Sequence, residues 1–148
     1  NACPLNDGAA AMVLMKASTA AELGCTPLAR IVAHATHAQA PEWFATAPVG
    51  ATHKVLAKAG WSVDDVDLWE VNEAFAVVPM ALMHELGVPH NTVNVNGGAC
   101  ALGHPIGASG ARIMVTLIHA LKARGLKRGV ATLCIGGGEA TAVALELV

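Results

Sequence analysis

Charge is scarce in this chain. Asp, Glu, Lys and Arg together make up 14% of its 148 residues, against 54% hydrophobic residues. Net charge is −2, and the basic residues form no cluster, so the electrostatic footprint of a nucleic-acid binder is missing. Long apolar runs are missing as well. The longest, residues 74–83, contains Pro79 and is followed by His84 and Glu85, far from the roughly 20 residues that cross a bilayer. The 4 Cys follow neither a zinc nor a disulfide spacing, and a chain this long can bury a core without staples. A reducing, cytoplasm-like compartment is therefore expected. Repeats, low-complexity tracts and Pro/Gly/Ser linkers are absent too, which leaves one domain. So little charge on so apolar a chain implies that part of the surface is covered by a further half or another subunit. The first residue is Asn1, with no signal-like segment after it. Residues 9–15 read as a strand, which at that place needs sheet partners. A piece of a longer protein is expected.

What is there alternates between helix and strand signals. Residues 19–23 suit a short helix stopped by Gly24, and 28–34 a strand. A helix over 49–59 places Val55, Leu56 and Ala59 on one face, with Lys54 and Lys58 off it and Gly60 as its stop. Residues 67–71 read as a buried strand. The apolar stretch 74–86 reads as a buried helix in which Pro79 either kinks the axis or marks the true start. A third short strand is expected over 92–95. The clearest helix runs over 105–124, with Pro105 at its start and Lys122, Arg124 and Gly125 at its end. Its stripe is Ile106, Gly110, Ile113, Leu117 and Leu121, with Ser109, Arg112 and Thr116 elsewhere. Strands over 129–134 and 140–148 flank a glycine-rich connection short enough for a hairpin. The fold class expected is α/β: a mixed, mostly parallel five-stranded sheet covered by helices, the last strand antiparallel.

Polar and glycine residues collect in three places, each just past the carboxyl end of an expected strand, where open α/β sheets bind ligands. They are Trp69-Glu70-Val71-Asn72-Glu73-Ala74-Phe75, the long segment from Asn96 through His104 to Gly110, and Cys134-Ile135-Gly136-Gly137-Gly138. Taken singly, glycine joints make turns and a buried Asn caps a helix. The P-loop spacing from Gly98 to Gly103 lacks its Lys and Ser/Thr, because His104 and Pro105 stand there. Taken together, a Cys and a His beside freed backbone amides supply an acid/base and an oxyanion site. His104 precedes a helix whose positive end disfavours a second proton on the imidazole. Gly136 lets its amide approach a substrate oxygen.

Asn72-Glu73-Ala74-Phe75, Gly98-Ala99-Cys100-Ala101-Leu102-Gly103-His104-Pro105 and Cys134-Ile135-Gly136-Gly137-Gly138 resemble the three C-terminal signatures of the thiolase family, in order. Asn6-Asp7-Gly8-Ala9-Ala10 is similar to the segment that closes the family's N-terminal half. The resemblance implies two similar halves, each a five-stranded mixed sheet with helices, in a dimer or tetramer. Residues 1–17 would close the N-terminal half, and 18–148 would form the C-terminal domain. It implies a two-step acyl transfer between coenzyme A thioesters, with no metal or redox cofactor. Cys134 matches the Cys that moves the α-proton, and His104 the His that activates the nucleophile and helps hold the enolate-like oxygen. Asn72 matches the Asn that positions a water there, and Gly136 an amide of a second oxyanion hole. Phe75, next to Ala74, lies where the family lines its pantetheine channel.

None of the Cys residues sits in the context of the family's nucleophile, so this chain by itself is not expected to turn over substrate. Cys3, Cys25 and Cys100 read as structural, and His34 with His37 as spectators for want of a third metal ligand. His53, His84, His90 and His119 read as solvated, Ser62 as the cap of an acidic turn, and Trp43, Trp61 and Trp69 as packing anchors. Two alternatives stay open. One is a non-catalytic acyl-CoA-binding or packing domain. The other is a hydrolase that uses Cys134 as its own nucleophile. Ketoacyl synthases share the fold but generally use a pair of His.

Overall fold

The computed structural model describes residues 1–148. Its regular elements are α1 (Ala17–Glu22), β1 (Ala29–Ala38), α2 (Ala47–Ala59), β2 (Leu68–Val71), α3 (Val77–Leu86), α4 (Ala99–Leu102), α5 (Ile106–Arg124), β3 (Arg128–Ile135) and β4 (Glu139–Leu147). The strands form one mixed sheet in the order β1-β4-β3-β2. β2 and β3 are parallel, and β4 is antiparallel to both of its neighbours, β3 and β1. Three strands thus share one direction and the last opposes them, as a tight β3–β4 connection demands. This is the α/β class expected.

Two expected strands are not strands. Residues 9–15 carry no regular structure, and Val13 is 84% exposed. A strand is held by its ladder, and these residues pair with none of the four strands. The strand expected over 92–95 shrinks to one parallel bridge between Val93 and Trp69. Asn94, at φ 48°, turns the chain there. Its side chain substitutes for the lost ladder: Val71 N–H donates to Asn94 Oδ1 at 2.8 Å, and Asn94 Nδ2 donates to the Val71 carbonyl at 2.9 Å. The sheet edge is closed by an amide, so four strands stand where five were expected.

Helix limits follow local chemistry. Gly60 and Gly125 take left-handed φ values of 69° and 64° and end α2 and α5. Helix α3 begins at Val77, which puts Pro79 in the first turn, where its missing N–H has no partner to lose. Ser62 does cap its turn, donating N–H and Oγ–H to Asp65 Oδ2 at 2.8 Å each. Asp67 Oδ2 accepts the N–H groups of Lys127 and Arg128 at 2.9 and 2.8 Å, which pins the start of β3 beside β2.

The helices cover both sheet faces. Helix α2, with α3 against it, packs on β1, β4 and β3; α5 packs on β3 and β2. The first face holds a core that includes Val55, Leu82, Trp69 and Val130. The second holds Leu68, Ile113, Leu117, Leu121 and Leu145. Ile106, expected in the α5 stripe, is 71% exposed, because the first turn of α5 projects past the strand ends. Trp69 is buried, and Trp61 lies under the Arg128 guanidinium at 5.1 Å, but Trp43 is exposed and anchors nothing.

Candidate active site

Strand alternation sets the site. Along β2, Trp69 and Val71 join the core under α2 and α3, while Leu68 joins the core under α5. Glu70 and the next residue on that side, Asn72, therefore face α5. Asn72 is 1% exposed, and its backbone N–H donates to the Thr132 carbonyl of β3 at 3.0 Å. Its side chain reaches the imidazole of His104, with Nδ2 and Nε2 3.3 Å apart. On the other side of the ring, Nδ1 lies 2.5 Å from Ser109 Oγ, which donates to the Pro105 carbonyl at 3.1 Å. The imidazole is thus held from both sides, by the buried Asn72 amide and by the Ser109 hydroxyl. Burial lowers the proton affinity of His104 below its ordinary 6.5, and the Arg112 guanidinium lowers it further. The result is a neutral base at a helix start. Asn72 Oδ1, buried and without a partner, is the unspent acceptor of the group.

The loop that carries His104 is clamped by Glu73. Glu73 Oε2 accepts the Cys100 N–H at 2.9 Å, and Oε1 accepts from Asn94 Nδ2 at 3.0 Å. A Cβ at Gly98 would fall on the Glu73 carboxylate and displace it from the clamp. The N-terminal segment closes the site from above: Cys3 N–H donates to Ala74 O, Ala76 N–H to Asn1 O, and His104 N–H to Pro4 O at 3.0 Å. Gly103 adopts φ 92°, and a side chain there would collide with Asn6. A concavity of about 370 Å³ lies beside this clamp, among Glu73, Met80, Met83, His90 and Cys100, and it does not include His104, Asn72 or Cys134.

Cys134 stands at the carboxyl end of β3, paired with Ala140. It is buried with the α2-side core, and burial pushes its thiol up, with a smaller push from Cys3. It rests as a thiol rather than the thiolate that a depressed affinity would give. Asn72 bonds the backbone of Thr132, two residues before Cys134, but its side chain faces α5 while Cys134 turns to the α2-side core. His104 bonds Asn72 and Ser109, not Cys134. Phe75 is partly exposed and meets Phe44 edge-on, with ring centroids 5.9 Å apart. Ala74 packs against the same core. Gly136 is exposed, and nothing lies within 4 Å of where its Cβ would be. The sequence reading missed Ser109, Glu73, Asn94 and the buried Glu70. A charged residue inside a strand as apolar as Leu-Trp-Glu-Val was the one available signal.

Comparisons with known proteins show the family. A model of the thiolase C-terminal domain matches residues 25–147. The chain belongs to the thiolase family. Among thiolase relatives, it is 55% identical over 146 residues to the acetyl-CoA acetyltransferase of Chromobacterium violaceum, covering 99% of this chain and 37% of that one. It is 56% identical to a probable acetyl-CoA acetyltransferase of Dictyostelium discoideum, covering 99% of this chain and 35% of that one. The crystal structure of the Bacillus anthracis acetyl-CoA acetyltransferase superimposes with a TM-score of 0.97 at 49% identity, over 100% of this chain and 38% of that one. The chain thus spans a little over a third of the length of the thiolases it matches.

Proposed function

We propose that the enzyme carrying this chain is an acyl-CoA C-acyltransferase, catalysing the reversible Claisen condensation of two acyl-CoA molecules and the thiolysis of 3-ketoacyl-CoA. The Asn72–His104–Ser109 chain carries this reading. It presents a neutral imidazole held between a buried amide and a hydroxyl, beside the strand edge at which Cys134 also lies. In thiolysis, a Cys of the other half loses its proton to His104 and attacks the keto carbon. The carbon–carbon bond then breaks, and its electron pair moves into the enolate of acetyl-CoA. The Nε2–H so formed and the group positioned by Asn72 stabilise that oxygen. Cys134, resting as a thiol, donates its proton to the α-carbon. Coenzyme A then gives its thiol proton to Cys134 and attacks the acyl thioester, and the departing Cys thiolate takes back the proton held by His104. Condensation runs the same steps backwards. Gly136 contributes an amide to the thioester oxygen, while Phe75 and Ala74 line the approach of the pantetheine arm.

No step changes an oxidation state, so coenzyme A serves as substrate and product, and no metal or redox cofactor is called for. The reading places residues 1–17 with the other half and 18–148 as the C-terminal domain. It sets the assembly, a homodimer or homotetramer, in a reducing cytoplasmic compartment. Incubation of the complete enzyme with labelled acetyl-CoA, followed by peptide mapping, tests it. Cys134→Ala should retain the label on a Cys outside this chain while thiolysis and condensation are lost. Stable label on Cys134, or normal thiolysis by Cys134→Ala, would refute the assignment.

A further inference from the structure

Beneath His104 the sheet and α5 hold a second pair of polar groups that the mechanism does not use. Glu70 precedes Asn72 by two residues on the same strand face, a step of about 7 Å. Arg112 follows Ser109 by three residues on α5, close to one helical turn of about 5.4 Å. The two elements therefore meet in two successive rungs. In the upper rung Asn72 and Ser109 hold the imidazole; in the lower, Glu70 Oε2 faces Arg112 Nη1 at 3.5 Å. The Glu70 side chain is 2% exposed and that of Arg112 20%. Glu70 Oε1 and Arg112 Nη1 make no hydrogen bond. A buried pair held this loosely gives little stability for what its desolvation costs.

We propose that Arg112 is a positioning residue that acts on His104 through charge, with the buried Glu70 as its seat. The inference deepens the acyltransferase reading of the same site and rests on it. Around the imidazole, β2 contributes the neutral Asn72, the N-terminal segment the neutral Pro4 and Asn6, and α5 the neutral Ser109 and the cationic Arg112. Burial raises Glu70 to about 7, Arg112 opposes that rise, and Glu73 adds to it. His104 is lowered from 6.5. Through the pH range in which His104 takes up its second proton, Glu70 is therefore mostly protonated, and the charge of Arg112 stands unopposed. The guanidinium keeps the resting imidazole unprotonated, and so free to take the nucleophile's proton.

The test is an NMR titration of the His104 imidazole in the full-length protein, its signal assigned by its loss in His104→Ala. Arg112→Met should move the midpoint upward, and Arg112→Lys, which keeps the charge, should return it to the parent value. Glu70→Gln should leave it at the parent value. The acidic limb of the acylation rate against pH should shift in step with each titration. Should Arg112→Met fold poorly, the double variant Glu70→Gln with Arg112→Met removes the stranded carboxyl and should show the same upward shift. A midpoint unchanged in both Arg112→Met and the double variant overturns the proposal. So does an equal rise in Arg112→Lys, which would assign the effect to packing. A fall in Glu70→Gln overturns the uncharged seat. Thiolysis by the parent enzyme is assayed separately: its absence sinks the acyltransferase reading and leaves the titration result standing.

Discussion

The two faces of the sheet are built on different terms. Under α2 and α3 the contacts are apolar almost throughout, from Val55 and Ala51 to Leu82 and Trp69. Under α5 the apolar core is smaller and borders Glu70, Asn72 and Ser109, each 2% exposed or less. Burying polar groups costs free energy unless each finds a partner; Glu70 Oε1, Asn72 Oδ1 and Arg112 Nη1 find none on this face, against Thr52 Oγ1 and His37 Nδ1 on the other. The first face is organised for stability. The second accepts a cost in stability, and the imidazole sits at its end.

Experiments that set the faces against each other sharpen this contrast. The largest effect is expected at the polar end: His104→Ala in the complete enzyme should slow both acylation and thiolysis by roughly 10²–10⁴-fold, with little change in urea stability. Wild-type acylation by that variant would remove His104 from the reaction. On the apolar face, Leu82→Ala should lower unfolding free energy by roughly 2–5 kcal/mol in urea titrations, because a fully buried side chain leaves a cavity. A loss as small as that of an exposed site would mean the α3 layer is not part of the cooperative core.

A smaller effect is expected where the faces meet the loop. In Glu73→Gln an NH₂ group replaces one acceptor oxygen and confronts a donor, either the Cys100 N–H or the Asn94 amide. A cost of about 1–3 kcal/mol follows, with kcat falling more than KM rises. Unchanged kcat with lowered stability would reduce Glu73 to a structural tie. The smallest is a slope. Glu70 binds its proton more tightly folded, at about 7 against an ordinary 4.5. Its contribution to stability is complete below 4.5 and is lost as pH rises towards 7. Glu70→Gln should match the parent in urea at pH 4.5 and exceed it at pH 8. Equal pH slopes for the two proteins would contradict that.

Much of this was legible in the chain itself. Helices α2 and α5 declared their stops at Gly60 and Gly125. The hairpin followed from the short glycine connection. Two of the signature segments do leave strands, at Asn72 and Cys134, whereas the one with His104 follows a single bridge at Val93 and the short helix α4. Strand pairing was less legible, because a ladder depends on partners remote in sequence. Residues 9–15 carry a strand's composition without a neighbour to bond, and Val93 loses its strand to the Asn94 side chain. Ser109 went unrecognised as a site residue because helical periodicity assigns a face, not a hydrogen bond.

By its order of residues alone, the chain determined its family, its α/β class and the residues of its signature segments. Those are properties of local pattern, where glycine, proline and apolar spacing act over a few positions. Only the tertiary structure decided which groups hold the two ring nitrogens of His104. It placed Glu70 and Arg112 one rung below, and it let burial hold Cys134 as a thiol. Proton affinity and tautomer are set by desolvation and by charges a few ångströms away, and those distances exist only once strand and helix have packed.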